Sequence, residues 1–299
     1  MNSFRVEVTD GPLDLNRIGR SGQMFRWVPN KDGWAVYEGD RLHLVQQADS
    51  VLNVTSTHDE DDFRKLLRLD ENHEHKLEEI VRLGPELEPC LGQLVGMRMM
   101  RPSCAHETLF SFLCSANNHI SRITQMVWKL STDPSGGVRD DHLAPVAFLS
   151  TEEIGQLSEQ SLRSQGFGYR AKSIPEVARQ LAGRGDSKAV LEQLRDAQYA
   201  DARAHLLSLP GVGPKLADCI CLFAFDHQES VPIDTHIWQQ LTKIYYPEWV
   251  GTALTKVKYD HAAEAFRDRF GALAGVAHQF LFVENMAINN RRNNKKITV

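Results

Sequence analysis

The chain has 299 residues, 42% of them hydrophobic, enough to bury a full core in one or two domains. No apolar run approaches the roughly 18 residues of a membrane-spanning helix, so a helical crossing is excluded. The net charge of −5 is uneven: residues 1–85 hold 11 Lys+Arg against 16 Asp+Glu, whereas residues 86–299 hold 23 of each, so the neutral remainder is not built for strong nonspecific attraction to polyanions.

The N-terminus, Met1-Asn2-Ser3-Phe4-Arg5, lacks a basic-then-apolar targeting pattern and runs straight into a strand, the expectation for an intracellular protein. Short segments rich in Val, Tyr, Trp and Leu at 5–8, 23–28, 33–37, 41–46 and 51–56 alternate with turn residues and predict an antiparallel sheet. At Asp59 the period changes. Phe63, Leu66, Leu67 and Leu69 recur at helical spacing behind an acidic first turn, Asp59 to Asp62. Beyond residue 72 the pattern is helical throughout, with helices expected at 73–83, 87–99, 105–116, 119–131, 151–156, 159–165, 170–182, 188–194, 199–207, 214–225, 235–244, 255–269 and 274–289. Turns are expected at Gly136-Gly137 and Gly183-Arg184-Gly185, and the basic, Asn-rich tail from Arg291 to Lys296 is expected to fray. The fold class is α+β: residues 1–85 form an N-terminal antiparallel sheet domain with flanking helices, and residues 86–299 form a helical domain.

The stretch Leu209-Pro210-Gly211-Val212-Gly213-Pro214-Lys215 is the most informative in the chain. A glycine-flanked tight hairpin that opens a helix presents unpaired backbone N–H groups, which bind phosphate. Pro214 suits the first helical position and makes Lys215 the second. Asp234 follows the lysine by 19 residues, in Val231-Pro232-Ile233-Asp234-Thr235-His236. From position alone several readings stay open: Lys215 as a phosphate contact, Asp234 as a helix N-cap, Asp218 as a rival carboxylate, Cys219 and Phe282 as core, Gly22 as a turn glycine. Cys219 lies four residues after Lys215, on the same helix face. The five cysteines (Cys90, Cys104, Cys114, Cys219, Cys221) form no C-x-x-C pair and read as reduced thiols.

Together with that hairpin, Ser21-Gly22-Gln23-Met24-Phe25-Arg26-Trp27, Leu109 to Asn118, Gly166-Phe167-Gly168-Tyr169-Arg170-Ala171-Lys172 and Ala217-Asp218-Cys219-Ile220-Cys221-Leu222 occur in family order. From about residue 4 to about residue 286 the chain resembles the 8-oxoguanine DNA glycosylase/AP lyases of the helix-hairpin-helix (HhH-GPD) superfamily. The resemblance implies a TBP-like sheet domain packed on an all-α helix-hairpin-helix body. It also implies bifunctional excision of 8-oxoguanine opposite cytosine by base flipping, with double-stranded DNA as partner, a monomeric state, and a place in the cytoplasm or nucleoid, or in the nucleus of a eukaryote.

Carried over residue by residue, Lys215 is the nucleophile that forms a Schiff base and Asp234 the carboxylate that stabilises the sugar cation. Cys219 and Phe282 pack on the two faces of the extruded base, and the Gly22 carbonyl accepts the N7 hydrogen that guanine lacks. Asn117, Arg122 and Arg170 read the orphaned cytosine, Tyr169 is the wedge, and Gly211, Gly213 and His236 contact DNA phosphate. Catalysis by this set needs no cofactor; the hairpin leaves room for a structural monovalent or divalent cation. Iron–sulfur relatives need four C-terminal cysteines, and no cysteine follows Cys221.

One position departs: His278 stands where the family usually has glutamine to read the purine edge. A neutral imidazole offers one donor and one acceptor on opposite sides, whereas an amide offers both side by side. Two titration expectations follow. The Lys215 amine needs a pKa depressed by about 2–3 units to attack near neutrality, and protonation of His278 should mark the pH profile near about 6.5. Rival readings are a monofunctional alkyl-base glycosylase, using Asp234 and water, and a noncatalytic DNA-binding module. Lys215 argues against the first, and Lys215, Asp234, Cys219 and Phe282 together argue against the second.

Overall fold

The structure, a computed structural model, describes residues 1–133 and 144–297, with side chains through residue 287; the turn expected at Gly136-Gly137 lies outside the described residues. Five strands, β1 (Asn2–Glu7), β2 (Trp27–Asn30), β3 (Gly33–Glu38), β4 (Arg41–Ala48) and β5 (Val51–Ser56), form one antiparallel sheet in the order β1-β5-β4-β3-β2. Alternation decides what each face buries. Val6, Trp34, Val36, Val45, Leu52 and Val54 pack against Phe63, Leu66 and Leu67 of α2 (Glu60–Leu66) and its C-cap. Ala35, Tyr37 and Leu42 face the other way, against Trp128 and Val146 of the helical part. The sheet is therefore covered on both sides, and β3 is buried from Trp34 to Glu38.

The helical body follows as α3 (His73–Leu83), α4 (Glu88–Gln93), α5 (Ala105–Ser115), α6 (Ile120–Trp128), α7 (Thr151–Gln156), α8 (Glu159–Ser164), α9 (Arg170–Ala182), α10 (Ser187–Asp196), α11 (Tyr199–Leu207), α12 (Pro214–Ala224), α13 (Thr235–Ile244), α14 (Lys256–Phe270) and α15 (Ala274–Ile297), with α1 (Leu15–Gly19) preceding the sheet's second strand. Helix α5 is its centre, with Leu109, Phe110, Phe112, Leu113 and Cys114 all in the main core beside the apolar face of α12. The two parts are locked by Arg26, which is fully buried. Its guanidinium donates to Glu107 on α5 (2.7 and 2.5 Å), to the Val146 carbonyl (2.7 Å) and to the Gly39 carbonyl (2.9 Å).

Four expectations are corrected. The strand expected at 23–28 begins only at Trp27, because Gly22 turns at φ +75 and the Gln23 amide bonds to the helical part, to the Arg98 carbonyl (3.0 Å) and the Met100 N–H (2.7 Å). Helix α1 was not expected; its five residues are too few to show a period, and Asp14 caps it through the Arg17 N–H. The helix expected at 87–99 is cut to α4, since Gly96 adopts φ +84 and a Cβ there would lie 2.9 Å from the Asp14 backbone nitrogen. The helix expected at 274–289 runs on as α15 to Ile297.

Candidate active site

The hairpin between α11 and α12 is shaped by glycine where only glycine fits. Gly211 has φ +82, and a Cβ there would meet the Ser173 side chain at 2.9 Å. Gly213 is the N-cap of α12 and provides no side-chain hydrogen bond, so the first-turn N–H groups keep their capacity for an anion. Pro214 and Lys215 occupy the first two helical positions, as expected.

From there Lys215 reaches a cavity of about 480 Å³, a size suited to a small molecule or base. Its lining brings together residues far apart in sequence, among them Gly22, Asn117, Lys215 and Cys219, Asp234 and His236, and His278 and Phe282. Phe25, Phe112 and Phe223 complete the walls, the last two stacked at 5.2 Å. Gly22 faces Phe282 and Ile120: a Cβ added to it would lie 3.7 Å from the Phe282 ring and 3.2 Å from Ile120, so the backbone approaches the cavity at a point where a side chain would intrude.

Asp234 caps a helix and also lines the cavity. As N-cap of α13 its Oδ1 accepts from the His236 N–H (2.9 Å) and the Ile237 N–H (2.8 Å), while the residue also lines the cavity. Asp218 is not a rival. It is fully buried and takes hydrogen bonds from Tyr199 Oη (2.6 Å), Arg203 Nε (2.8 Å) and Tyr259 Oη (2.5 Å).

Both titration expectations change. Burial works to lower the pKa of Lys215, but the Cys219 sulfur and the Asp234 carboxylate work the other way and prevail, so the amine is held above its ordinary range in the free protein, not below it. Burial pushes the Cys219 thiol up, against the pull of Lys215. His278, 3% exposed, is pushed down to about 4 by burial, with Asp234 pulling it up and Lys215 down. The ring is thus neutral near 6.5, and the signature expected there moves to near 4. Neither ring nitrogen makes a hydrogen bond of good geometry among the described residues, although the Pro232 backbone exerts a weak upward pull. The buried ring lines the cavity with hydrogen-bonding capacity left to use.

Tyr169, Arg170 and Arg122 are not in the cavity lining, whereas Asn117 is. Tyr169, 58% exposed, donates to the Ala116 carbonyl (2.8 Å); the buried Arg170 donates to the Ala116 and Asn117 carbonyls and lies 4.5 Å from the Tyr169 ring centroid. Arg122 donates to the Gly166 carbonyl (2.9 Å). Asn117 sits at φ +46 in the turn between α5 and α6. In the free protein, then, both arginines spend hydrogen bonds on backbone carbonyls. Gln279, the neighbour of His278 and the alternative to it for meeting the base, is buried in the cavity wall and reaches the Ser21 carbonyl (3.3 Å) next to Gly22. Among the described residues no cluster of three or more His, Cys, Asp or Glu could hold a metal ion.

No family model matches the chain. It is 35% identical to the N-glycosylase/DNA lyase OGG1 of Arabidopsis thaliana over a 301-residue alignment that covers 95% of this chain and 80% of that protein. It is 31% identical to the N-glycosylase/DNA lyase of Saccharomyces cerevisiae over 271 residues, 78% of this chain and 68% of that protein. Among solved structures, the Clostridium acetobutylicum 8-oxoguanine glycosylase/lyase, in complex with double-stranded DNA containing cytosine opposite 8-oxoguanine, superimposes with a TM-score of 0.80 at 23% identity, covering 96% of this chain and 98% of that one.

Proposed function

The chain belongs to the N-glycosylase/DNA lyase family, and from that premise we propose that it excises 8-oxoguanine opposite cytosine from duplex DNA and then cleaves the strand, with Lys215 and Asp234 as its reacting pair. The observation that carries this reading is the convergence of Lys215, Asp234, Cys219, Phe282, His278 and Gly22 on one cavity. A flipped base enters between Cys219 and Phe282, and the Gly22 carbonyl accepts the N7–H of an 8-oxopurine while repelling the N7 lone pair of guanine. His278 meets the purine edge as a neutral ring.

In the proposed order of events Lys215 meets the flipped nucleotide as an ammonium, the ordinary state of a lysine at neutral pH. An ammonium cannot attack C1′, so the glycosidic bond opens first, with the Asp234 carboxylate stabilising the positive charge left on the sugar. The departing base takes the proton from Lys215, and the neutral amine so produced adds to C1′. Opening of the sugar ring gives the Schiff base, from which β-elimination releases the 3′ phosphate. No step calls on a metal or cofactor, and a cation at the hairpin would be structural. Asn117, Arg122 and Arg170 meet the orphaned cytosine, with the arginines exchanging their backbone carbonyls for base acceptors, and Tyr169 fills the gap in the stack. The hairpin glycines and His236 hold phosphate. A protein acting on genomic DNA works inside the cell, and no described helix is long and apolar enough to cross a membrane.

Borohydride trapping on a duplex with 8-oxoguanine opposite cytosine tests the assignment. Lys215→Gln should abolish the trapped complex and strand cleavage while leaving duplex binding within about threefold. Trapping at the parent's level by that variant would remove Lys215 as the nucleophile.

A further inference from the structure

Lys215 and Asp234 lie on different elements, and something must fix the distance between them. Three residues beyond Lys215 on the same helix, Asp218 is fully buried and receives Tyr199 and Arg203 from α11 and Tyr259 from α14. The segment that leads into Asp234 is tied to the same point at two places. Ser230 Oγ donates to the Asp218 carbonyl (2.8 Å), and the Ile233 N–H donates to Tyr259 Oη (3.4 Å). Tyr259, 4% exposed, thus gives its hydrogen to Asp218 on the lysine's helix and accepts one from the residue immediately before Asp234.

The geometry points to Tyr259 as a positioning residue for the reaction: its hydroxyl, held between Asp218 and Ile233, sets the placement of the Asp234 carboxylate relative to the Lys215 amine. Burial and the Asp218 charge raise the Tyr259 hydroxyl well above its usual range, so it remains a donor at all working pH values. Tyr199 makes an equally short bond to Asp218 but does not touch the 230–233 segment in any described hydrogen bond, and it supplies the control. A misplacement of about 1 Å is enough to slow a positioned reaction about a hundredfold, so loss of one long tether should be felt in the chemical step.

The inference rests on Lys215 and Asp234 being the reacting pair. Single-turnover excision and duplex Kd are measured for Tyr259→Phe, Tyr199→Phe, Asp234→Asn and the Tyr259→Phe/Asp234→Asn double variant. Tyr259→Phe should slow excision about tenfold or more with Kd within twofold, Tyr199→Phe should stay within about threefold of the parent, and Tyr259→Phe should cost little further once Asp234 is Asn, because coupled residues are non-additive. A parental rate for Tyr259→Phe, equal losses in both tyrosine variants, or additive losses in the double variant would overturn the inference. Asp234→Asn at the parental rate would instead overturn the reacting pair itself. Should Tyr259→Phe fail to fold by circular dichroism, Ser230→Ala, which unties the other end of the segment, takes its place with the same expected outcomes.

Discussion

Replacing His278 with Gln should change how the protein responds to acid, and the size of the change follows from the structure. The ring is buried at 3% exposure and its pKa falls from 6.5 to about 4. A histidine depressed on folding stabilises the protein fully above its unfolded pKa and loses that contribution as pH falls through 6.5 toward 4. With those two values, linkage gives a loss of about 2 kcal/mol between about pH 7.5 and about pH 5 from this ring alone, and about 3 kcal/mol once pH is below both. Burial holds His43 and His73 at about 4 as well, so the parent should be acid-sensitive overall, but those rings are common to both proteins and cancel. Urea unfolding of parent and His278→Gln at the two pH values gives the comparison, read from the midpoints at constant slope. The stability difference should move by about 2 kcal/mol in favour of the glutamine variant on acidification. Parallel pH dependences would refute the claim that His278 is a buried neutral ring. In the same preparations His278→Gln should keep or raise 8-oxoguanine excision, and the parent should show no inflection near 6.5 that the variant lacks.

Other substitutions test the remaining assignments. Asp234→Asn keeps an oxygen for the His236 and Ile237 N–H groups, so thermal stability should change by no more than about 1 kcal/mol, whereas excision should fall by about 10² to 10³ with the charge gone; a large drop in Tm with excision retained would make the residue a cap alone. Arg170→Ala and Asn117→Ala should each reduce the preference for cytosine opposite the lesion by about 1–3 kcal/mol in a duplex panel with four opposite bases, without abolishing excision; unchanged ratios in both would remove them from that role. Arg26→Met should cost about 3–5 kcal/mol in urea unfolding, since Glu107 would be left charged and buried without its partner, and a cost below about 1 kcal/mol would show that the pair does not lock the sheet to the helices.

The sequence by itself determined everything that local geometry can carry. Strands β3, β4 and β5 were legible because their side chains alternate and their turns are short, and α12 began where Gly213 and Pro214 required, with Lys215 second in the helix. The constellation was legible through ordered motifs, not through spacing: nothing in the chain's periodicity says that Gly22, Asn117, Lys215, Asp234 and Phe282 meet. Tertiary structure alone decided the rest. It ended the helix after residue 93 and delayed β2, because Gly96 and Gln23 answer to partners about 80 residues away. It also took Asp218 out of the chemistry by surrounding it with Tyr199, Arg203 and Tyr259. Most of all it set the protonation of the site. The histidine's pKa goes down because burial disfavours its charged form, whereas the lysine's goes up because neighbouring groups outweigh its desolvation, and only the folded chain brings Cys219 and Asp234 near Lys215.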